Sequence, residues 1–290
     1  MRDTIIRPIL LLLFVSSSYS LDLNEDEYEN VDPFDIDIQN RIIGGHEAKT
    51  NEVPFFVGIR SSLNASLVCG GSIIGNYWVL TAGHCVAEED GTLRHEPREL
   101  ELVFGTNNLQ TTSPSVFASQ VKRIIVHPDY KNGSYLVNDV ALIQSKNTLI
   151  VNDNDNGIKT EIINLPLKGD NSLYENKTCI ASGYGMTSKN PKSNSVSKKL
   201  KVTSFTIKPD RECGSRMDIP SHFCGRGSNK RDEVFKGDSG GPLSCQSDKG
   251  WTQVGISSYV SPPKAFFTRT SSYKEFIEKT MKEFDSNKEV

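Results

Sequence analysis

From residue 42 to about residue 270 the large apolar residues come in short runs, each cut off by Gly, Pro, Asn or Asp before it reaches helical length. The runs fall at residues 55–59, 72–80, 100–104, 121–126, 140–143, 178–181, 201–207, 253–259 and 265–268. Short apolar stretches bounded by turn formers are the pattern of antiparallel β structure, because the turn residues supply backbone conformations that a strand cannot use. Roughly 230 residues of this kind suffice for one large β domain or two packed barrels. Only at the end does the period change. Ser272 and Glu275 have capping-box spacing, and Tyr273, Phe276, Ile277, Thr280 and Phe284 lie on or near one face, which predicts a helix over 271–285.

The segment ahead of the β region has a different character. Residues 1–20 read as a secretory signal, with Arg2 and Arg7 leading an apolar run from Ile9 to Val15 and small residues Ser18 and Ser20 at the cleavage position. That run is too short to span a bilayer, so a soluble, exported, extracellular product is expected. Residues 21–40 carry eight acids and no base, with too few large apolar residues to build a core. Arg41 ends this stretch as an accessible proteolytic site, which marks 21–41 as a removable propeptide and 42–290 as the functional domain. After Arg41 there remain 30 basic and 27 acidic residues, a balance that argues against nucleic acid or an anionic membrane as partner.

Six cysteines, Cys69, Cys85, Cys179, Cys213, Cys224 and Cys245, fit three disulfides in an oxidising compartment better than thiols or zinc. Asn64, Asn132 and Asn176 each begin an Asn-x-Ser/Thr acceptor for glycosylation. The run from Asn152 to Gly157 has the composition of a calcium loop, but Ile163 stands where a bidentate Glu is required, so a solvated turn is expected. No metal or other cofactor is implied.

Chemistry concentrates in Lys236-Gly237-Asp238-Ser239-Gly240-Gly241-Pro242. Glycines around a lone serine let a ligand approach the backbone closely and let the loop aim its amides at a bound carbonyl. Pro242 is expected to end any regular element there. Ser239 becomes a nucleophile only with a base to take its proton and a third group to hold that base. His84, after the apolar 77–80 and beside Cys85, is the histidine best placed for the first role. Asp139, at the mouth of the apolar 140–143, needs a hydrogen-bonding partner that an imidazole supplies.

The order His84, Asp139, Ser239, with these flanking residues and with Ile42-Ile43-Gly44-Gly45 after Arg41, resembles the trypsin-like serine proteases over about residues 42–285. The resemblance implies two packed six-stranded antiparallel Greek-key β-barrels, near 42–165 and 166–270, with a C-terminal helix. It implies that Ser239 attacks the scissile carbonyl of a protein or peptide substrate, that His84 shuttles the proton and that Asp139 orients His84. The amides of Gly237 and Ser239 would form the oxyanion hole, and Ser258 would contact Asp139 and line the cleft. Cleavage after Arg41 by an activating protease would free the Ile42 ammonium to pair with Asp238. The disulfides implied are Cys69 with Cys85, Cys179 with Cys245 and Cys213 with Cys224. A monomer is expected, with a protein inhibitor as a further partner.

The chain departs from the family around the specificity pocket. Phe235 and the cysteine-free segment 260–265 leave out a disulfide that most relatives have, Tyr259 replaces a Trp, and Val260 and Ala265 stand where glycines keep the pocket open. Glu233 stands six residues before Ser239, where an Asp selects Arg and Lys in trypsin. Two preferences remain, cleavage after a basic residue or after a small apolar one, and the second is favoured because Val260 partly blocks a long side chain. A protease homologue that only binds is the rival function. An esterase or lipase fits worse, since those usually place a serine on a strand-to-helix turn in the order Ser, Asp, His.

Overall fold

A computed structural model describes residues 45–109, 117–133, 136–153, 157–170, 172–185, 197–214, 221–228 and 238–286. The signal and propeptide readings, Arg41, Ile42, Glu233, Phe235 and Gly237 lie outside these residues.

The first barrel comprises β1 Phe56–Ser61, β2 Leu67–Gly75, β3 Trp78–Thr81, β4 Leu100–Phe104, β5 Phe117–Val126 and β6 Ala141–Ser145. It closes in the order β1-β2-β3-β6-β5-β4, every pair antiparallel. The second comprises β7 Thr178–Gly183, β8 Lys201–Ile207, β9 His222–Gly227, β10 Pro242–Ser247, β11 Gly250–Ser261 and β12 Lys264–Arg269. Its order, β7-β8-β9-β12-β11-β10, repeats that of the first, and the β7 to β10 pairing closes it. Closure leaves no strand edge unpaired around either barrel, which removes the usual aggregation hazard of a β sheet.

Three details differ from the periodicity reading, each for a local reason. The apolar run 72–80 is a hairpin, because Asn76 and Tyr77 turn the chain between β2 and β3. Pro242 begins β10 instead of ending an element, a position where its missing N–H costs no ladder bond. The C-terminal helix opens as a 3-10 turn, Thr270–Tyr273, and α geometry runs over Lys274–Ser286. It lays Ile277 and Thr280 inward, and Met281 against Gly75, on the outside of the first barrel.

The two interiors are separate apolar clusters, one around Val57, Ile59, Ile73, Leu80, Leu102, Leu142 and Ile143, the other around Phe205, Phe223, Leu243, Val254 and Phe267. Phe267 is fully buried, with Phe205 edge-on and Phe223 stacked, both at 5.6 Å between ring centroids. Phe267→Ala should therefore destabilise the domain by about 3 to 5 kcal/mol through lost burial and the cavity left behind. The denaturant midpoint measures it, and an unchanged midpoint would refute the packing. Three disulfides, Cys69–Cys85, Cys179–Cys245 and Cys213–Cys224, tie the strands. The first spans 16 residues and contributes about 3 kcal/mol in the chain-entropy picture.

Candidate active site

His84 sits in the 3-10 turn Gly83–Cys85 that follows β3. Two contacts hold that turn. Cys85 is bonded to Cys69 on β2, and Thr81 Oγ1 donates to the Gly70 carbonyl at 2.8 Å. Gly83 is required there because a Cβ would come within 2.7 Å of the Tyr130 ring.

Asp139 is fully buried just before β6, following Asn138 in the left-handed region at φ 52°. Asn138 is fixed from both sides, donating to the Asp129 carbonyl at 2.8 Å and accepting from the Tyr273 hydroxyl at 3.0 Å. The Asp139 carboxylate is then fully engaged. Its Oδ1 accepts the His84 backbone N–H at 2.9 Å. Its Oδ2 lies 2.9 Å from His84 Nδ1 and accepts from Ser258 Oγ at 2.5 Å. A carboxylate accepts only, so Nδ1 carries the imidazole proton and Nε2 is left as the basic nitrogen.

The two groups shift one another's protonation. Burial pulls the His84 pKa down, but the charge and hydrogen bond of Asp139 raise it above the ordinary 6.5, against a smaller lowering by Arg94. Burial opposes ionisation of Asp139, and the His84 charge, with hydrogen bonds from His84 and Ser258, holds its pKa below the ordinary carboxylate value. Each group thus favours the charged form of the other, and His84 is a base only while its imidazole is neutral.

Ser239 comes from the second barrel, in the turn before β10, and is half-buried. Its carbonyl accepts the Gly70 N–H of β2 at 2.8 Å, while Gly240 N–H donates to the Ser257 carbonyl at 2.8 Å. The loop is thus stitched to both barrels. Gly240 has φ 76°, and a Cβ there would lie 2.2 Å from Thr81 Oγ1 and 3.0 Å from Cys85 Sγ. Since Cys85 Sγ is 4.0 Å from His84 Nε2, the absent side chain of Gly240 is what lets the serine loop close onto the His84 turn. Cys69, Cys85 and His84 form the one cluster of metal-type ligands among the described residues, but both sulfurs are in a disulfide and supply no thiolate.

Asp238 turns away from the cleft and is 3% exposed. Its Oδ1 accepts the Gly185 N–H at 2.8 Å. Cβ atoms on Gly183 and Gly185 would fall 2.1 and 2.2 Å from its carboxylate oxygens. These two glycines escaped the sequence reading, although the small-residue spacing of Ser182-Gly183-Tyr184-Gly185 was the signal available. Thr268 escaped it too, and it donates to the Asp139 carbonyl at 2.9 Å.

Of the pocket residues, Tyr259, Val260 and Ala265 stand together. β11 and β12 are joined only through Pro262 and Pro263, so Val260 pairs directly with Ala265 and Tyr259 with Phe266, its ring stacked at 4.6 Å. Val260 is 41% exposed and Ala265 is buried. Lys264 Nζ reaches across to the Glu212 carbonyl. The acceptor sites are spread over the surface, with Asn64 and Asn176 exposed and Asn132 half-buried in a short strand.

The family model described as Trypsin matches residues 42–277. The chain is 32% identical over 290 residues to serine protease SSP1 of Scolopendra subspinipes, covering 96% of this chain and 94% of that protein. It is 30% identical to granzyme B(G,H) of Mus musculus, covering 83% and 91%, and 28% identical to mast cell protease 3 of Ovis aries, covering 84% and 90%. A match of this extent, on two closed six-stranded barrels, makes the chain a member of the trypsin family of serine proteases and a serine endopeptidase.

Proposed function

We propose that this endopeptidase works through His84, Asp139 and Ser239 by way of an acyl-enzyme. The reading is carried by the buried Asp139 carboxylate, which accepts a hydrogen bond from His84 Nδ1–H and leaves Nε2 basic on the side where Gly240 brings the serine loop against Cys85. In the reaction Nε2 accepts the Ser239 proton as Oγ attacks the substrate carbonyl, then returns it to the leaving amine. The amides of Gly237 and Ser239 stabilise the developing oxyanion, each typically worth about 3 to 4 kcal/mol.

The chain is made as a secreted precursor, with signal 1–20 and acidic propeptide 21–41, and is glycosylated at Asn64 and Asn176. Among the described residues no helix is long and apolar enough to cross a membrane. Cutting after Arg41 frees the Ile42 ammonium, which pairs with Asp238 and orders the Gly237 amide. The glycines at 183 and 185 support this, since their missing side chains leave room for the carboxylate to turn inward, where the Gly185 N–H donates to it. Gly185→Ala should expel it and lower kcat/KM by about a hundredfold, the typical effect of one lost oxyanion donor. Steady-state kinetics reads this, and wild-type activity would remove Asp238 from the switch.

The test of the whole reading is fluorophosphonate labelling of the precursor, of protein cut after Arg41, and of cut Ser239→Ala. Labelling is expected only in the cut wild type. An unlabelled cut wild type rejects the triad, and a strongly labelled precursor rejects the switch.

Preference is for a small apolar residue before the scissile bond. The support is Val260, exposed and paired directly with the buried Ala265 across a hairpin joined through Pro262 and Pro263 alone. A fluorogenic positional library checks this, and dominance of Arg or Lys would point to Glu233 instead. Activity should also fall on acidification with a midpoint above 6.5, because protonated His84 cannot accept the Ser239 proton. A midpoint of kcat/KM below 6.5 would contradict the environment assigned to His84.

A further inference from the structure

His222 opens β9, directly across from Thr268 on β12, and is 1% exposed. Its Nδ1 lies 2.8 Å from Ser221 Oγ, and its Nε2 lies 3.4 Å from Ser258 Oγ and 3.5 Å from Thr268 Oγ1. Both of these hydroxyls touch Asp139.

Counting protons assigns the direction of each bond. Ser258 has one hydroxyl proton, and it goes to Asp139 Oδ2 at 2.5 Å. Thr268 has one, and it goes to the Asp139 carbonyl, which cannot donate in return. Each hydroxyl oxygen can therefore only accept from His222. The proton of neutral His222 must then sit on Nε2, shared between Ser258 and Thr268, with Nδ1 accepting from Ser221.

We infer that His222 is a positioning residue for the proposed triad, acting on Asp139 through Ser258 and Thr268. A single N–H holds the two hydroxyls in the rotamers that aim their protons at the carboxylate and carbonyl of one residue. The chain of donors then runs from His222 through Ser258 to Asp139, whose carboxylate accepts from His84 on its other side. Among the described residues, the charged groups around His222 include Asp139 beyond the hydroxyls, Arg269, which donates to the His222 carbonyl at 2.9 Å, and Asp210, which pairs with Arg269 at 2.6 Å. The Tyr259 ring covers the remaining face at 5.8 Å. The interaction with Asp139 runs through the oriented N–H.

The inference rests on the triad reading, and the test separates the two. Cut wild type, His222→Gln, His222→Asn and His222→Phe are titrated with a fluorophosphonate, and kcat is expressed per labelled site so that misfolded protein does not count. Glutamine places its amide N–H where Nε2 stands, whereas asparagine places it near Nδ1 and reaches only Ser221. The Phe and Asn variants are expected to lose about 5- to 20-fold in kcat with KM within twofold, and Gln to recover most of that loss. The acid limb of kcat/KM should also move up by a few tenths of a pH unit in Phe and Asn, because Asp139 loses donor support and becomes a stronger partner for the His84 cation. Equal behaviour of Gln and Asn, or a loss confined to KM, would overturn the role of His222. Absence of labelling in the wild type would overturn the triad instead.

Discussion

Replacing His84 by alanine should lower kcat of the activated enzyme by about a millionfold, as removal of the base does in other triads. Among the described residues the side chain has no substitute. Nδ1 is committed to Asp139 at 2.9 Å, and the sulfurs nearest Nε2 belong to the Cys69–Cys85 disulfide, which cannot accept a proton at neutral pH. In the proposed reading substrate binding uses the strand around Tyr259 and Val260, so KM should stay within a few fold. The turn itself should survive, since Asp139 Oδ1 still accepts the backbone N–H of residue 84 and the disulfide still anchors Cys85. Steady-state kinetics on a peptide substrate checks the prediction. A loss smaller than a hundredfold would mean that another group takes the Ser239 proton.

Asp139→Asn should cost about ten-thousandfold in kcat with the fold intact, the typical effect of forcing the wrong tautomer. The oxygen of the asparagine must face the His84 backbone N–H, because that donor has no alternative at 2.9 Å. The amide nitrogen then takes the place of Oδ2, opposite both Nδ1 and Ser258. Nδ1 has to accept, the imidazole proton moves to Nε2, and the nitrogen needed as a base is blocked. The acid limb of whatever activity remains should also shift to lower pH, since the negative charge that raises the His84 pKa is gone. A variant within a hundredfold of wild type would exclude Asp139 as the orienting group.

The parts of this protein legible in the sequence were those written by local chemistry. Runs such as 100–104 and 201–207 are strands in the structure because a closed barrel buries most of their apolar residues. β9 was not legible. His222-Phe223-Cys224-Gly225-Arg226-Gly227 has no sustained apolar run, and it is a strand because β8 and β12 pair with it from both sides. β10 was hidden by Pro242, whose missing N–H is harmless only at a strand start. The tight hairpin 258–268 was likewise invisible, as its two-residue turn depends on the direct pairing of Val260 with Ala265.

The sequence by itself determined the chemical types and the order in which they come. A glycine-flanked serine, a histidine beside a bridged cysteine and an acid at the edge of an apolar strand are choices of side chain, and they carry the family resemblance. Only the tertiary structure decided which groups share protons. It set His84 on one side of Asp139 and Ser258 on the other, at 2.9 and 2.5 Å. It also buried a second histidine, His222, behind Ser258, which nothing in its neighbours along the chain announced. The bond between His222 and Ser258, 36 positions apart, depends on closure of the second barrel, and that between Ser258 and Asp139, 119 apart, on the packing of the two barrels, and no local pattern encodes those distances.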